Sequence, residues 1–251
     1  MDPNGKVALI SGGAMGIGQA YARILLENGA KIVLCDIDAA TGEKATQDLN
    51  TEFGANRVTF FKGDYTSTVL SLCTEVFKKT VATYGGLHIL INNAGILDDG
   101  RWELEIAINV TAVAQGTLFA LKYMDKAQGG VVVNIASILG LQPFPGAPIY
   151  AATKHAVDPF HFDRTGVRVV TMCPGVTDTS LISEAHNRQL NAEWNKRCGD
   201  DLAALPAQKP INVAKGMLHL IREAPNGSVW VAEGGEPVYR VIIPDRRTLR
   251  A

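Results

Sequence analysis

Tyr150 and Lys154 lie four residues apart, a spacing that puts two side chains on one face of a helix. An ammonium beside a phenol favours phenolate, so the pair is expected to lower the tyrosine pKa toward working pH. A phenolate can take the proton of an alcohol while hydride leaves the alcohol carbon. Ser137, thirteen residues before Tyr150, is placed to hydrogen-bond the substrate oxygen as charge develops on it. Pairs of this spacing are common on helix surfaces, so the pair alone decides little.

The hydride needs an acceptor, and the N-terminal quarter offers a site for one. Residues 11–18 read SGGAMGIG and join an apolar, strand-like run (6–11) to a helical pattern (16–28). Glycines there let the backbone approach a pyrophosphate, and the helix N-terminus adds free N–H groups and a favourable dipole. A glycine-rich turn by itself is ordinary; its place between the first strand and the first helix gives it meaning. Asp36 closes the next strand (31–36), eighteen residues beyond Gly18. A carboxylate there accepts hydrogen bonds from ribose hydroxyls and repels a 2′-phosphate. Ala14, Met15 and Ile37 offer no cation to a phosphate, so NAD is expected rather than NADP.

The elements that position these residues alternate along the chain. Strand-like runs at 57–62, 87–92, 130–136, 167–173 and 228–232 follow the first two, with helical patterns at 40–53, 67–84, 102–128 and 213–223 and a helix starting near Ile149. Runs this apolar on both faces are covered by helices on both sides, which predicts an α/β fold with a doubly wound, mainly parallel, seven-stranded sheet. No linker or repeat divides residues 1–251, so a single domain is expected, with an irregular substrate segment at about 178–209.

Composition removes several function classes. Apolar residues are 47% and charged residues 20%, enough for a large core and too few charges for disorder. The formal net charge of -1 gives no basic surplus for nucleic acid or anionic lipid. Cys35, Cys73, Cys173 and Cys198 include no CxxC pair, and the five histidines are scattered, so neither a disulfide framework nor a metal site is expected. The polar start (MDPNGK) is unlike a signal peptide, and no apolar run approaches membrane-spanning length, so a cytoplasmic protein is expected.

Taken in order, these motifs resemble those of the short-chain dehydrogenase/reductase superfamily. The stretch 11–18 is similar to TGxxxGxG, with Ser11 for Thr, and Asn92-Asn93-Ala94-Gly95 matches NNAG. Ser137, Tyr150 and Lys154 match S-x12-YxxxK, and residues 174–179 (PGVTDT) resemble PGxxxT. The resemblance runs from residue 6 to about 232 and implies a Rossmann-type domain. Within the superfamily, NAGIL (93–97), Trp102-Glu103, LKYM (121–124) and KHAV (154–157) resemble 15-hydroxyprostaglandin dehydrogenase-like and insect alcohol dehydrogenase-like members.

The resemblance implies a catalytic set of Asn109, Ser137, Tyr150 and Lys154, in which Asn109 holds a water that relays protons from the lysine. It implies NAD contacts from Gly12, Met15, Gly16, Ile17, Gly18, Asp36 and Ile37, and from Asp64 and Tyr65 beside the adenine. Asn93, Ala94, Gly95 and Tyr150 would lie beside the cofactor and Lys154 would bind the nicotinamide ribose, while Pro174, Gly175, Val176 and Thr179 would lie along the nicotinamide, with Val176 and Thr179 holding its carboxamide. The Asn92 and Asn93 amides would tie loops together. The partner implied is a small alcohol or ketone, apolar or lipid-like, with Leu139, Phe144, Leu181 and Trp194 as possible pocket residues.

Two departures qualify this. Prostaglandin-type members carry Gln three residues before the tyrosine; Ala147 stands there and argues against a prostaglandin. Only eleven residues separate Lys154 from Gly166, and Pro159 falls among them, so the helix should end near Asp158, roughly two turns short of its relatives. That helix forms the family's dimer contact. Its shortening leaves open an active homodimer, a monomeric reductase of small carbonyls, or an NAD-binding protein that has lost its chemistry.

Overall fold

A computed structural model describes residues 1–63, 69–125, 127–157, 165–244 and 246–249. Asp64, Tyr65, Asp158 and Pro159 lie outside the described residues.

The chain runs β1 (Val7–Ser11), α1 (Gly16–Glu27), β2 (Lys31–Asp36), α2 (Ala39–Phe53), β3 (Val58–Lys62), α3 (Val69–Tyr84) and β4 (Ile89–Asn92). It continues through α4 (Trp102–Ile106), a π-helical turn (Ala107–Ala112), α5 (Val113–Tyr123), β5 (Gly130–Ile135) and α6 (Pro148–Ala156). Then come β6 (Val167–Pro174), α7 (Ser180–Ser183), α8 (Ala192–Ala203), α9 (Pro210–Glu223), β7 (Val229–Ala232) and β8 (Tyr239–Val241).

The strands form one sheet in the order β3-β2-β1-β4-β5-β6-β7-β8. Every pairing is parallel except β7 with β8. Among the described residues the sheet therefore has eight strands where seven were expected. The extra one is three residues long, lies on the edge and is largely exposed, so it carries no apolar signature.

Alternation along each strand divides the core into two layers. Ala8, Ile10, Ile32, Leu34, Ile89 and Ile91 face the layer under α1 and α9, whereas Leu9, Val33 and Leu90 face the layer under α3 and α5. Each such Ile or Leu, removed from water, contributes about 1.5–3 kcal/mol to holding helix on sheet. The chain leaves β1 toward β2 on one side and returns to β4 on the other. That reversal opens a crevice beyond the carboxyl ends of β1 and β4, where open α/β sheets bind ligands.

The helix expected at 102–128 ends at Tyr123, because Met124 turns extended. Counted from Asp99 to Tyr123, it is long and apolar enough to cross a membrane by length and composition, which the sequence did not suggest. It packs on α3 and β4 with Asn109, Thr117 and Ala120 buried, the position of a covering helix in an α/β sheet. Cys35, Cys173 and Cys198 are buried.

Candidate functional site

A cavity of about 310 Å³ fills the crevice. One end is built by the turn between β1 and α1. Gly12 and Gly16 take positive φ, and a Cβ on Gly12 would lie 2.9 Å from the Ala94 Cα. At Gly18 a Cβ would meet the Gly12 carbonyl oxygen at 2.1 Å, so only glycine lets α1 begin so close to the turn. Met15, the N-cap of α1, makes no side-chain cap, and the first turn holds no acid. The free N–H groups and the positive end of the helix dipole thus remain available to an anion.

Asp36 closes this end. Its Oδ2 accepts the Ala14 N–H at 3.1 Å and its Oδ1 accepts that of Asp38 at 3.2 Å, so it faces the cavity in a fixed pose. Ile37, 57% exposed, and Met15 form apolar walls beside it. The Asn93 amide donates to the Ser11 and Gly12 carbonyls at 3.0 and 2.9 Å, and Asn92 donates to Asn134 Oδ1 at 2.9 Å. The Asn93 amide thus makes the loop tie expected of it, whereas Asn92 instead joins β4 to β5.

The other end gathers Ser137, Tyr150 and Lys154, the residues expected to transfer the proton. Ser137 leaves β5 and caps a short 3₁₀ turn (Ile138–Gly140), its Oγ accepting the Leu139 N–H at 3.1 Å. Tyr150 and Lys154, 6% and 4% exposed, line the same wall from α6. Lys154 Nζ lies 5.5 Å from the Tyr150 ring centroid and donates to the Ile135 carbonyl at 3.0 Å. Burial holds the lysine below its ordinary value, at about 8.

Tyr150 departs from expectation. Its phenol is pushed up, not down: burial dominates, the nearby Glu105 carboxyl adds to it, and a hydrogen bond with Ser137 only partly offsets both. The ammonium lies over the ring face and points to a strand carbonyl, so it does not serve the hydroxyl directly.

Of the expected residues, Gly12, Met15, Gly16, Ile17, Gly18, Asp36 and Ile37 line the cavity. So do Asn93, Ala94, Gly95, Ser137, Tyr150, Lys154, Pro174, Gly175, Val176 and Thr179. Asn109 does not. It is fully buried behind Gly95, where it accepts from Ile96 N at 2.9 Å and donates to Ile96 O at 2.9 Å and Thr153 Oγ1 at 3.1 Å. Its amide clamps a loop to α6, and its place in a π-helical turn is common near functional sites. Asp64 and Tyr65 lie outside the described residues.

Leu139 and Leu181 line the cavity as expected, but Phe144 and Trp194 do not. Phe144 is core instead. Ile96, Ile138, Ile182 and Leu202 also line it and were not anticipated. They sit in loops or short turns, or on α8, where no periodicity separates a pocket wall from core. Two further residues were missed. Asp99 Oδ2 and Oδ1 accept the N–H groups of Ile149 and Tyr150, both at 2.9 Å, and Glu105 is buried beside Asp99. Glu105 stands four residues before Asn109, on the same helix face, and that spacing was the available signal.

The family model described as short chain dehydrogenase matches residues 6–190. This chain belongs to the short-chain dehydrogenase family. Its relatives include mouse (Mus musculus) 15-hydroxyprostaglandin dehydrogenase (NAD(+)), 33% identical over 254 residues, covering 95% of this chain and 94% of the relative. Alcohol dehydrogenase 2 of Ceratitis capitata is 34% identical over 250 residues, with 94% of each chain covered. Among solved structures, levodione reductase superposes with a TM-score of 0.80 at 24% identity, covering 92% of this chain and 97% of the other. A short-chain dehydrogenase/reductase of Burkholderia phymatum in complex with NAD gives 0.77 at 22%, covering 92% and 90%. These two establish likeness of fold.

Proposed function

We propose that the chain is an NAD-dependent alcohol dehydrogenase that moves a hydride between an apolar secondary alcohol and the cofactor. The observation that carries this is the single cavity running from the uncapped start of α1 and Asp36 to Ser137, Tyr150 and Lys154. Both relatives' names describe dehydrogenases of hydroxyl substrates, one of them with NAD(+).

The residues fit a dinucleotide. The glycine cradle excludes any Cβ and exposes the α1 N–H groups to a pyrophosphate. Asp36 accepts from ribose hydroxyls, and its charge disfavours a 2′-phosphate. Bound NAD+ supplies the hydride acceptor. At the other end, the proton of the substrate hydroxyl passes to Tyr150 Oη while Ser137 Oγ donates to the same oxygen. Lys154 supplies the cationic charge that a phenolate in this buried position requires. Leu139, Leu181, Ile138, Ile182 and Leu202 make the substrate end apolar, which suits a hydrocarbon-bearing alcohol.

The test is to titrate NAD+ and NADP+ into purified protein, then follow reduced cofactor over a panel of secondary alcohols. Tighter NAD+ binding and NADH formation are expected. Tyr150→Phe should lower kcat by about 10²–10⁴-fold and leave NAD+ affinity nearly unchanged. One observation favours a second reading, a cofactor-binding protein without turnover: α6 ends at Ala156, only nine residues long. NAD+ binding with no turnover across a wide panel would decide for it.

A further inference from the structure

The substrate end of the cavity is backed by three acids. Asp98 is 4% exposed and Asp99 and Glu105 are 0% exposed. Asp98 is paired with Arg101 at 2.6 Å. The other two face each other. Glu105 Oε1 accepts the Asp98 N–H at 2.9 Å, while its Oε2 is buried and meets no donor among the described residues. The neighbour of Glu105 is the Asp99 carboxylate, already engaged by two backbone N–H groups of α6. Two touching carboxylates cannot both stay charged away from water. Since Asp99 is fixed as an acceptor, the proton of the pair belongs on Glu105.

The start of α6 shows what the pair does. Pro148 has no N–H, and the N-cap residue Ala147 supplies no side-chain bond. The next two N–H groups, including that of Tyr150 itself, have Asp99 as their acceptor. We infer that Glu105 donates a proton-bearing hydrogen bond to Asp99, and that this carboxyl–carboxylate pair is the device that positions Tyr150, by capping α6 from another element.

The groups around the pair agree. Asp98 and Arg101 lie on the same turn, Tyr150 and Lys154 on α6, and Cys198 and Asp201 on α8. Burial and the charges of Asp99 and Asp98 raise Glu105 from its ordinary 4.5 to about 8, although the Asp98 N–H pulls the other way. The Cys198 thiol, at about 11, is likewise pushed up by burial and by Asp99 and Asp201, so it adds no charge at neutral pH. Once Glu105 loses its proton, the new negative charge acts on both Tyr150 and Lys154 and opposes phenolate formation. Glu105 is thus a positioning residue whose protonation also sets the field at the phenol.

Two measurements test this. The kinetic one rests on the dehydrogenase reading; the spectroscopic one does not. In the infrared spectrum of the full chain, with and without NAD+, a carbonyl band of a protonated buried carboxyl should be present at pH 7. It should fade near pH 8 and shift when glutamate alone is ¹³C-labelled. Absence of the band, or indifference to the glutamate label, overturns the inference even if no variant folds. In kinetics, Glu105→Gln keeps an amide donor toward Asp99 and cannot ionise. It should retain turnover, with the rise of kcat/KM shifted to lower pH by roughly half a unit or more. Glu105→Leu should lose about tenfold in kcat at little change in NAD+ affinity. A wild-type pH profile in the Gln variant, or equal losses in both variants, overturns the positioning role. Absence of turnover in the wild type counts against the dehydrogenase reading alone and leaves the infrared result to decide.

Discussion

Asp36 shows how little of a side chain's role lies in its type. Each of its oxygens already accepts one backbone N–H, from Ala14 and from Asp38, so the carboxylate is immobilised before any ligand arrives. Asp36→Asn keeps an acceptor and removes the charge. Hydrogen bonds to a charged group contribute about 1.5–3 kcal/mol, so the preference for NAD+ over NADP+ should fall by at least about tenfold, measured as the ratio of dissociation constants. An unchanged ratio would move cofactor selection elsewhere. At this scale the sequence was informative wherever a motif has fixed spacing: Ser137, Tyr150 and Lys154 converge on one wall. Beyond the Glu105–Asn109 spacing it held no sign of Asp99 and Glu105, whose partnership with α6 depends on tertiary contact across some fifty positions, Asp99 to Tyr150 being 51 apart. It also misjudged the Tyr150 phenol, because spacing reports the neighbour and not the burial.

Among the elements, α8 and the segment before α6 are packed backbone to backbone. A Cβ on Gly146 would lie 2.7 Å from the Cys198 Cα. Gly146→Val should therefore push α8 outward. A stability loss of about 1–3 kcal/mol is expected from such overpacking, read in urea unfolding, together with a raised KM for the alcohol and unaltered NAD+ affinity. A loss of cofactor binding instead would mean that α8 supports the glycine turn. Most strands and long helices were legible, since buried parallel strands are continuous apolar runs and each helix is bounded by a turn. The π-helical turn (Ala107–Ala112) was not, because a one-residue change in hydrogen-bond register leaves no mark on hydrophobic period. Nor were β8, whose short exposed run looks like loop, and α8 (Ala192–Ala203), which lies in the segment expected to be irregular and is largely polar.

For the molecule as a whole, two buried groups beside the cavity act on stability in opposite directions. Glu105 is raised from 4.5 to about 8, so the folded state holds a proton that the unfolded state releases between those values. Its contribution is full below pH 4.5 and is lost as pH rises to 8. Lys154 is lowered from 10.5 to about 8, so its contribution is full above 10.5 and is lost as pH falls toward 8. The two together should give a stability minimum near pH 8 in thermal scans. In Glu105→Gln the acid side of that minimum should flatten while the alkaline side persists. A minimum unaltered by the substitution would assign the acid side to other groups.

The excursion away from the sheet through α7 and α8 begins and ends at one point. Thr177 and Gln208 form a parallel bridge, Gln208 N–H reaches the Val176 carbonyl at 2.9 Å, and Asp178 N–H returns to the Gln208 carbonyl at 2.9 Å. A segment whose two ends are fastened to each other behaves as a cassette. It can lengthen, shorten or change its side chains without shifting the register of β6 or the start of α9. The cavity walls carried by Leu181, Ile182 and Leu202 can thereby change without disturbing the end built on strands and helix starts. Divergence of substrate among descendants of such a chain is to be sought between these two clasped ends.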